Sequence, residues 1–147
     1  MNDWRKDLAL ALEETLEHLA FMLVEQQSES CGTPPTKICW ARLELVSPLP
    51  GILAVEMSEE LAAHLLQMVT GDESGQESLL LDTVAELANT LAGRFLNRRL
   101  GGEIDFQLGL PISGRGEMPH SGLRWQGSAF QVEGSCLRIR LAGPSFS

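Results

Sequence analysis

The sequence lacks any hydrophobic run long enough to cross a membrane. Its longest apolar stretch runs from Leu19 to Val24, whereas a membrane-spanning helix needs about 20 consecutive apolar residues. The amino-terminal stretch also lacks the basic residues followed by an apolar segment that mark an export signal. We therefore expect a cytoplasmic protein that is soluble and has no membrane partner.

Cysteine and histidine are scarce as well. The three cysteines, Cys31, Cys39 and Cys136, are odd in number and lack the spacing of a zinc site, so we expect reduced thiols. The three histidines are scattered along the chain, without carboxylates or cysteines at metal-ligand spacing. The sequence therefore predicts no metal site and no cofactor of the protein's own.

Basic residues are outnumbered by acidic ones. Eleven Lys and Arg residues stand against twenty Asp and Glu residues, which gives a formal net charge of −9. Because nucleic-acid binding depends largely on basic side chains that displace counterions, this charge argues against a nucleic-acid partner. The cluster of Arg94, Arg98 and Arg99 falls in the last turns of a predicted helix, where cations favour the negative end of the helix dipole.

What the sequence does contain is enough apolar residues for one core. Of its 147 residues, 44% are hydrophobic and 21% charged, as in a single globular domain. Apolar periodicity predicts three helices, at about 4–26, 59–70 and 79–100. Apolar or alternating segments predict strands between and after them, with a glycine-rich turn at 113–119 and a carboxyl-terminal hairpin that turns near 134–135. The order predicts an α+β fold: one domain over residues 1–147, with long helices packed on an antiparallel or mixed sheet.

The third predicted helix carries a polar stripe in the segment DTVAELANTLAG, residues 82–93. At about 100° per residue, Asp82, Glu86, Asn89 and Gly93 lie on one side of this helix, opposite its apolar residues. Such a stripe is usually a solvated face. However, relative to Ala, Asn costs about half a kcal/mol inside a helix and Gly about 1 kcal/mol. Because Gly also lets another surface approach closely, we interpret the stripe as a docking groove.

The pattern of this stripe resembles a known signature. Asp-x3-Glu-x2-Asn, followed by Gly93 and by a strand that ends in Pro111, is similar to the signature of the CheX, CheC and FliY phosphatases of bacterial chemotaxis. The flanking segments, MSEELAAHLLQMVTG before it and FQLGLPISG after it, also resemble those of CheX-type domains. The resemblance covers most of the chain, residues 5–142, and implies a CheX-like fold.

The resemblance implies hydrolysis of the aspartyl phosphate on a CheY-type response-regulator receiver domain. By similarity, Asn89 orients the attacking water and Glu86 pairs with the receiver's active-site Lys, while Asp82 and Gly93 assist docking. The chemistry agrees, because phosphoryl transfer needs mainly positioning and charge neutralisation, and a neutral Asn amide can both accept from and donate to water. The receiver would bring its own divalent metal, expected to be Mg²⁺.

The first predicted helix carries a partial copy of the same pattern. Its segment ETLEHLAF, which begins at Glu14, aligns with ELANTLAG of the third helix, and CheC-type relatives carry two such helices. Glu17 and Phe21 occupy the positions that Asn and Gly occupy in the third helix. A carboxylate and a bulky ring would make a poor copy of the site, so we expect one active site per chain.

Two other interpretations stay open. A noncatalytic receiver-binding or flagellar-switch-type module would keep the docking surface without turnover. A structural homodimer would leave the stripe merely solvated. The family resemblance also implies a homodimer through sheet edges, but nothing in the strand sequences identifies the edge.

Overall fold

A computed structural model describes residues 4–28, 37–119 and 122–146. The helices in this part of the chain are α1 (Trp4–Ala20), α2 (Glu59–Thr70) and α3 (Glu77–Leu100). The strands are β1 (Val24–Ser28), β2 (Ile38–Ser47), β3 (Gly51–Ser58), β4 (Gln107–Leu108), β5 (Ile112–Arg115), β6 (Trp125–Val132) and β7 (Ser135–Ala142). A short 3-10 helix, Pro144–Phe146, follows the last strand.

The strands form one sheet in the order β1-β6-β7-β3-β2-β4, with β5 also paired to β2. Each described pairing is antiparallel. The sheet has an approximate two-fold symmetry. In it, the edge strand β1 corresponds to β4 and β5, β2 corresponds to β6, and β3 corresponds to β7. Each half of the chain therefore contributes a helix, a hairpin and an edge strand that pairs with the other half's hairpin.

The helices cover one face of this sheet. β3 turns Leu53, Val55 and Met57 into the core, and β7 does the same with alternate residues from Leu137 to Leu141. These side chains form one hydrophobic cluster with the buried residues of all three helices. The predicted α+β fold, with long helices packed on an antiparallel sheet, is confirmed.

The bounds of α2 agree with their sequence signals. The Ser58 hydroxyl accepts a hydrogen bond from the Leu61 N–H at 3.1 Å, and Glu59 and Glu60 occupy the first turn. Gly71 ends the helix in the left-handed conformation, with φ of 82°. These are the caps that favour a helix start and stop, so the predicted range of 59–70 is confirmed.

Two elements differ from the prediction. The first helix ends at Ala20 rather than near residue 26, because Phe21 takes a positive φ of 54° and the following residues form β1, paired with β6. The predicted turn at 113–119 begins with β5, which pairs with β2. There Gly114 lies against the Trp40 ring, and an added Cβ would come within 2.6 Å of it. The glycine thus serves close packing against a tryptophan rather than a turn.

The expectation of reduced thiols is wrong for Cys136, which is disulfide-bonded. Cys39 is a free, buried thiol, and Cys31 lies outside the described residues. In the described part of the chain, no helix combines the length and the hydrophobicity that crossing a membrane requires.

Candidate functional site

α3 lies at the centre of the helical layer, where it packs against α1, α2 and β2. Its inward side is closed by eight buried residues: Leu80, Val84, Leu87, Ala88, Leu91, Ala92, Phe95 and Leu96. The buried positions recur at three- and four-residue steps, so the helix cannot rotate without exposing them. This packing fixes which residues of α3 face outward.

The outward side of α3 presents the polar stripe. Asp82, Glu86 and Asn89 are exposed, and Gly93 is partly exposed. The structure therefore places all four sequence-predicted residues on one accessible face, as the periodicity predicts. A partner could reach them together without any rearrangement of the core.

The Asn89 side chain is free to bind water. It makes no hydrogen bond to any other described residue. An amide oxygen can accept a hydrogen bond while the NH2 group donates, and the group does not titrate. Asn89 can therefore hold and orient a water molecule whatever the pH.

Glu86 has a hydrogen-bond donor on its own helix. The Thr90 hydroxyl, one turn along the helix, donates to Glu86 Oε1 at 3.4 Å. This contact is longer than an ordinary hydrogen bond between two oxygens, and it leaves the second carboxylate oxygen available to a cation. Sequence reasoning missed Thr90, although its four-residue spacing from Glu86 is a signal for such a pair.

Gly93 leaves open space above the helix. A Cβ added to Gly93 would meet nothing within 4 Å. Internal packing thus gives no reason for a residue that costs about 1 kcal/mol relative to Ala in a helix. The clearance is usable only by something that approaches from outside.

No group of three His, Cys, Asp or Glu side chains among the described residues is placed to hold a metal ion. The stripe of Asp82, Glu86 and Asn89 offers carboxylate and amide groups spread along a helix face. Such an arrangement suits contacts with another protein's charged groups.

α1 runs antiparallel beside α3 and is joined to it by ion pairs and a hydrogen bond. Arg99 Nη1 lies 2.9 Å from Asp7 Oδ2, near the start of α1, and Arg98 pairs with Glu14 farther along. Arg94 Nη2 lies 2.7 Å from His18 Nδ1, near the end of α1. The sequence alone indicates that the three arginines favour the negative end of the helix dipole. The structure adds specific acidic partners on a neighbouring helix.

The inward faces of α1 and α3 correspond at most positions. In the alignment that sets Glu14 against Glu86, five buried positions of α1 match buried positions of α3, whereas buried Ala11 matches the partly exposed Thr83 and buried Leu91 matches the partly exposed Leu19. The matched pairs are Leu8 with Leu80, Leu12 with Val84, Thr15 with Leu87, Leu16 with Ala88 and Ala20 with Ala92. The outward faces can therefore be compared position by position.

The outward face of α1 does not repeat the site. The Glu14 carboxylate is occupied by Arg98 and by Arg94, whose Nη1 lies 3.4 Å from Glu14 Oε2. Glu17 is exposed at the position that corresponds to Asn89, and the helix has already ended at Phe21. Among the described residues, α3 alone of these two helices carries the full stripe.

The family comparison agrees with this geometry. The model of the family described as chemotaxis phosphatase CheX matches residues 40–121, more than half of the chain. The chain belongs to the CheX family. The matched range runs from β2 through β5 and includes all of α3, which confirms the family predicted from the stripe and its flanks. A search of curated protein sequences gives no match.

Solved structures of CheX and CheC proteins share the fold. The chemotaxis protein CheX from Vibrio vulnificus is 15% identical, with a TM-score of 0.76 and 96% of each chain covered. CheX in the CheX-CheY-BeF3-Mg²⁺ complex from Borrelia burgdorferi is 16% identical, with a TM-score of 0.72, covering 95% of this chain and 97% of that one. A CheC-like superfamily protein from a Shewanella species is 21% identical, with a TM-score of 0.71 and coverage of 97% and 98%.

Proposed function

We propose that this CheX-family protein hydrolyses the aspartyl phosphate of a CheY-type receiver domain. The observation that carries the proposal is the Asn89 amide, which makes no hydrogen bond to another described residue and lies on an exposed face beside the open space at Gly93. Membership of a family described as chemotaxis phosphatases supports the reaction class. The similar Borrelia structure, a complex of CheX with CheY, supports the class of partner.

In the proposed mechanism the two proteins complete one active site. The receiver supplies the phosphoryl group, its divalent metal and its active-site Lys. Asn89 accepts one hydrogen from a water molecule and so holds the water oxygen in line with the bond from phosphorus to the aspartyl oxygen. Water attack forms the new P–O bond, the aspartyl carboxylate leaves, and inorganic phosphate is released. This division of labour suits phosphoryl transfer, which depends on positioning and charge stabilisation.

Glu86 and its neighbours set the register of the complex. The exposed Glu86 carboxylate pairs with the receiver's Lys, and the Thr90 hydroxyl, one turn along the helix, donates a hydrogen bond to the same carboxylate. Asp82, one turn earlier on the same face, adds negative charge at the docking surface. Gly93 lets the receiver's loops approach the helix backbone closely. Because a displacement of about 1 Å can cost on the order of a hundredfold in rate, this register is part of the mechanism.

The test measures loss of phosphate from a phosphorylated receiver, chosen by pull-down from the receivers of the same organism. Asn89→Ala should lower the rate by about a hundredfold or more, while binding to a receiver that carries BeF3⁻ and Mg²⁺ changes little. Asn97→Ala provides a matched control, because Asn97 is an exposed asparagine on the same helix. The control should keep the wild-type rate.

Other outcomes separate the alternatives. Equal acceleration by wild-type and Asn89→Ala proteins would remove Asn89 from the mechanism. Binding without any acceleration by the wild-type protein would support the noncatalytic receiver-binding module. No binding that depends on phosphorylation would favour the structural homodimer with a solvated stripe.

A further inference from the structure

Two large apolar side chains stand exposed where α1 ends. Phe21 is 80% exposed and Leu23 is 72% exposed, whereas Met22 between them is buried at 1%. Met22 thus anchors this segment in the core while its two neighbours project into solvent. Adjacent exposed apolar residues of this size often mark an interaction site.

The backbone at Phe21 is held in an unfavourable conformation. Its φ is 54°, and its N–H donates to the Glu17 carbonyl at 3.2 Å, closing α1 with a left-handed cap. Glycine usually occupies this position, because a side chain makes the left-handed conformation costly. A bulky residue that is strained and also exposed gains nothing visible from the fold, which points to a role outside it.

Phe21 lies beside the stripe of α3. The pairs of Asp7 with Arg99 and of His18 with Arg94 show that α1 and α3 are antiparallel. Since His18 is level with Arg94, the residue about one turn after His18, Phe21, is level with the residues about one turn before Arg94, which are Thr90 and Asn89. The exposed Phe21 side chain therefore lies at about the level of Asn89, at the end of the neighbouring helix.

A receiver docked on Asn89 would have to cover this segment. A standard protein interface buries about 800 Å² per partner, equivalent to a circle of about 16 Å radius. Packed helices lie about 8–10 Å apart, so the end of α1 falls within such a footprint. Glu13 and Glu17, two turns and one turn before Phe21 on α1, and Glu86 on α3 are exposed carboxylates, which suits a partner surface that is apolar with a basic margin.

We propose that Phe21 and Leu23 form an apolar anchor that the phosphorylated receiver buries when its phosphoaspartate meets Asn89. This inference rests on the proposed function and adds a second contact, on α1, to the contacts of α3. The anchor supplies affinity, whereas Asn89 supplies turnover. Aromatic residues in this position of an interface often dominate its binding energy.

The test uses Phe21→Gly, which removes the ring and relieves the strained backbone. The variant should melt at the same temperature as wild type or higher, because glycine suits a left-handed cap. Its Kd for the receiver carrying BeF3⁻ and Mg²⁺, and its KM for the phosphorylated receiver, should rise about tenfold or more. Its kcat at saturating receiver should stay close to that of wild type.

Leu110→Ala is the matched control. Leu110 is 90% exposed, and it lines a cleft with Arg42 and Ile52 on the sheet face that points away from the helices. Removing this apolar side chain, which is even more exposed than Phe21, should leave Kd, KM and kcat unchanged. Leu23→Ser should weaken binding in the same direction as Phe21→Gly.

The outcomes distinguish this inference from the proposed function. An unchanged Kd for Phe21→Gly, with wild-type turnover intact, would overturn the anchor and leave the phosphatase proposal standing. A lower melting temperature together with weaker binding would assign Phe21 a structural role and also overturn the anchor. If the wild-type protein neither bound nor dephosphorylated any receiver, both proposals would fail together.

Discussion

α1 and α3 are two versions of one helix whose inward faces agree and whose outward faces differ. Both bury five matched positions in the hydrophobic core, from Leu8 with Leu80 to Ala20 with Ala92. Outside, α3 presents Glu86 and Asn89 to solvent, whereas the α1 counterpart Glu14 is neutralised by arginines. The comparison teaches that core packing requires similar buried positions on both helices, while a few outward residues and their neighbours decide which helix can carry a site.

The most damaging change should be one that gives α3 the bulk found on α1. Gly93→Phe places an aromatic ring where α1 has Phe21, and a Cβ there meets nothing within 4 Å, so the protein should still fold. The ring would occupy the space through which the receiver approaches. We expect a loss of about a hundredfold or more in kcat/KM for dephosphorylation, because small displacements of reacting groups are costly. The rate of phosphate release from a phosphorylated receiver, compared between this variant and wild type, measures the loss in kcat/KM.

Gly93→Ala separates bulk from helix propensity. Alanine should stabilise the protein by about 1 kcal/mol, measured by urea denaturation, and should reduce turnover far less than phenylalanine does. Wild-type turnover by Gly93→Phe would show that the clearance is not used, and the contrast between the two helices would then rest on Asn89 alone.

The next effect compares equivalent carboxylates on the two helices. Glu86→Ala removes the proposed partner of the receiver's Lys, so KM should rise about tenfold, as for a charge pair at an interface. The stability of this variant should hardly change, because the hydrogen bond that Glu86 makes among the described residues, with Thr90, is long at 3.4 Å. Receiver titration and thermal melting measure the two quantities.

Glu14→Ala should show the opposite pattern. This carboxylate ties α1 to Arg94 and Arg98, and its side chain is 40% exposed, so its removal should cost about 1 kcal/mol or less. Turnover should stay near the wild-type rate. If Glu14→Ala slowed dephosphorylation as strongly as Glu86→Ala, the two helices would not differ in function as proposed.

The sequence predicted the inward and outward sides of α3 because apolar periodicity records them directly. It also predicted both ends of α2, where Ser58 and Gly71 are local cap signals. It could not predict that Glu14 is neutralised, since its partners lie about eighty residues away and meet it only in the folded layer. The predicted end of the first helix was wrong because the apolar spacing continues beyond Ala20 to Leu23, while the backbone at Phe21 ends the helix.

β5 illustrates the same limit on the sheet. Glycines near residue 114 favour a turn in any local interpretation. The strand forms because Gly114 accommodates the Trp40 ring of a neighbouring strand. This contact depends on the tertiary structure, and the sequence around Gly114 does not indicate it. What the sequence predicts well is therefore periodic or capped, and what it misses depends on partners distant in the chain.

The smallest expected effect is a pH dependence of stability that arises near the first turn of α3. Gln76, at its N-cap position, makes no side-chain cap bond, and the first turn is held instead by Arg115, which pairs with Glu77 at 2.9 Å and with Glu59. Cys39 lies close to these charges. Burial raises the pKa of the Cys39 thiol to about 11, with a further increase from Glu59 and an opposing effect from Arg115.

The sign of the pH dependence follows from this shift. Because the folded-state pKa of Cys39 exceeds its unfolded value of 9.0, the thiol's contribution to stability is fully present below that pH and is lost as pH rises towards 11. The melting temperature should therefore fall by a few degrees more over this range than in Cys39→Ala. At pH 8 the native protein's Cys39 should resist iodoacetamide, because only the thiolate of an accessible cysteine reacts. Rapid alkylation at pH 8 would show that Cys39 becomes accessible in the native protein. The ion pairs of Arg115 would then not hold the first turn of α3 in place, and this end of the helix would be held no more firmly than its exposed polar stripe.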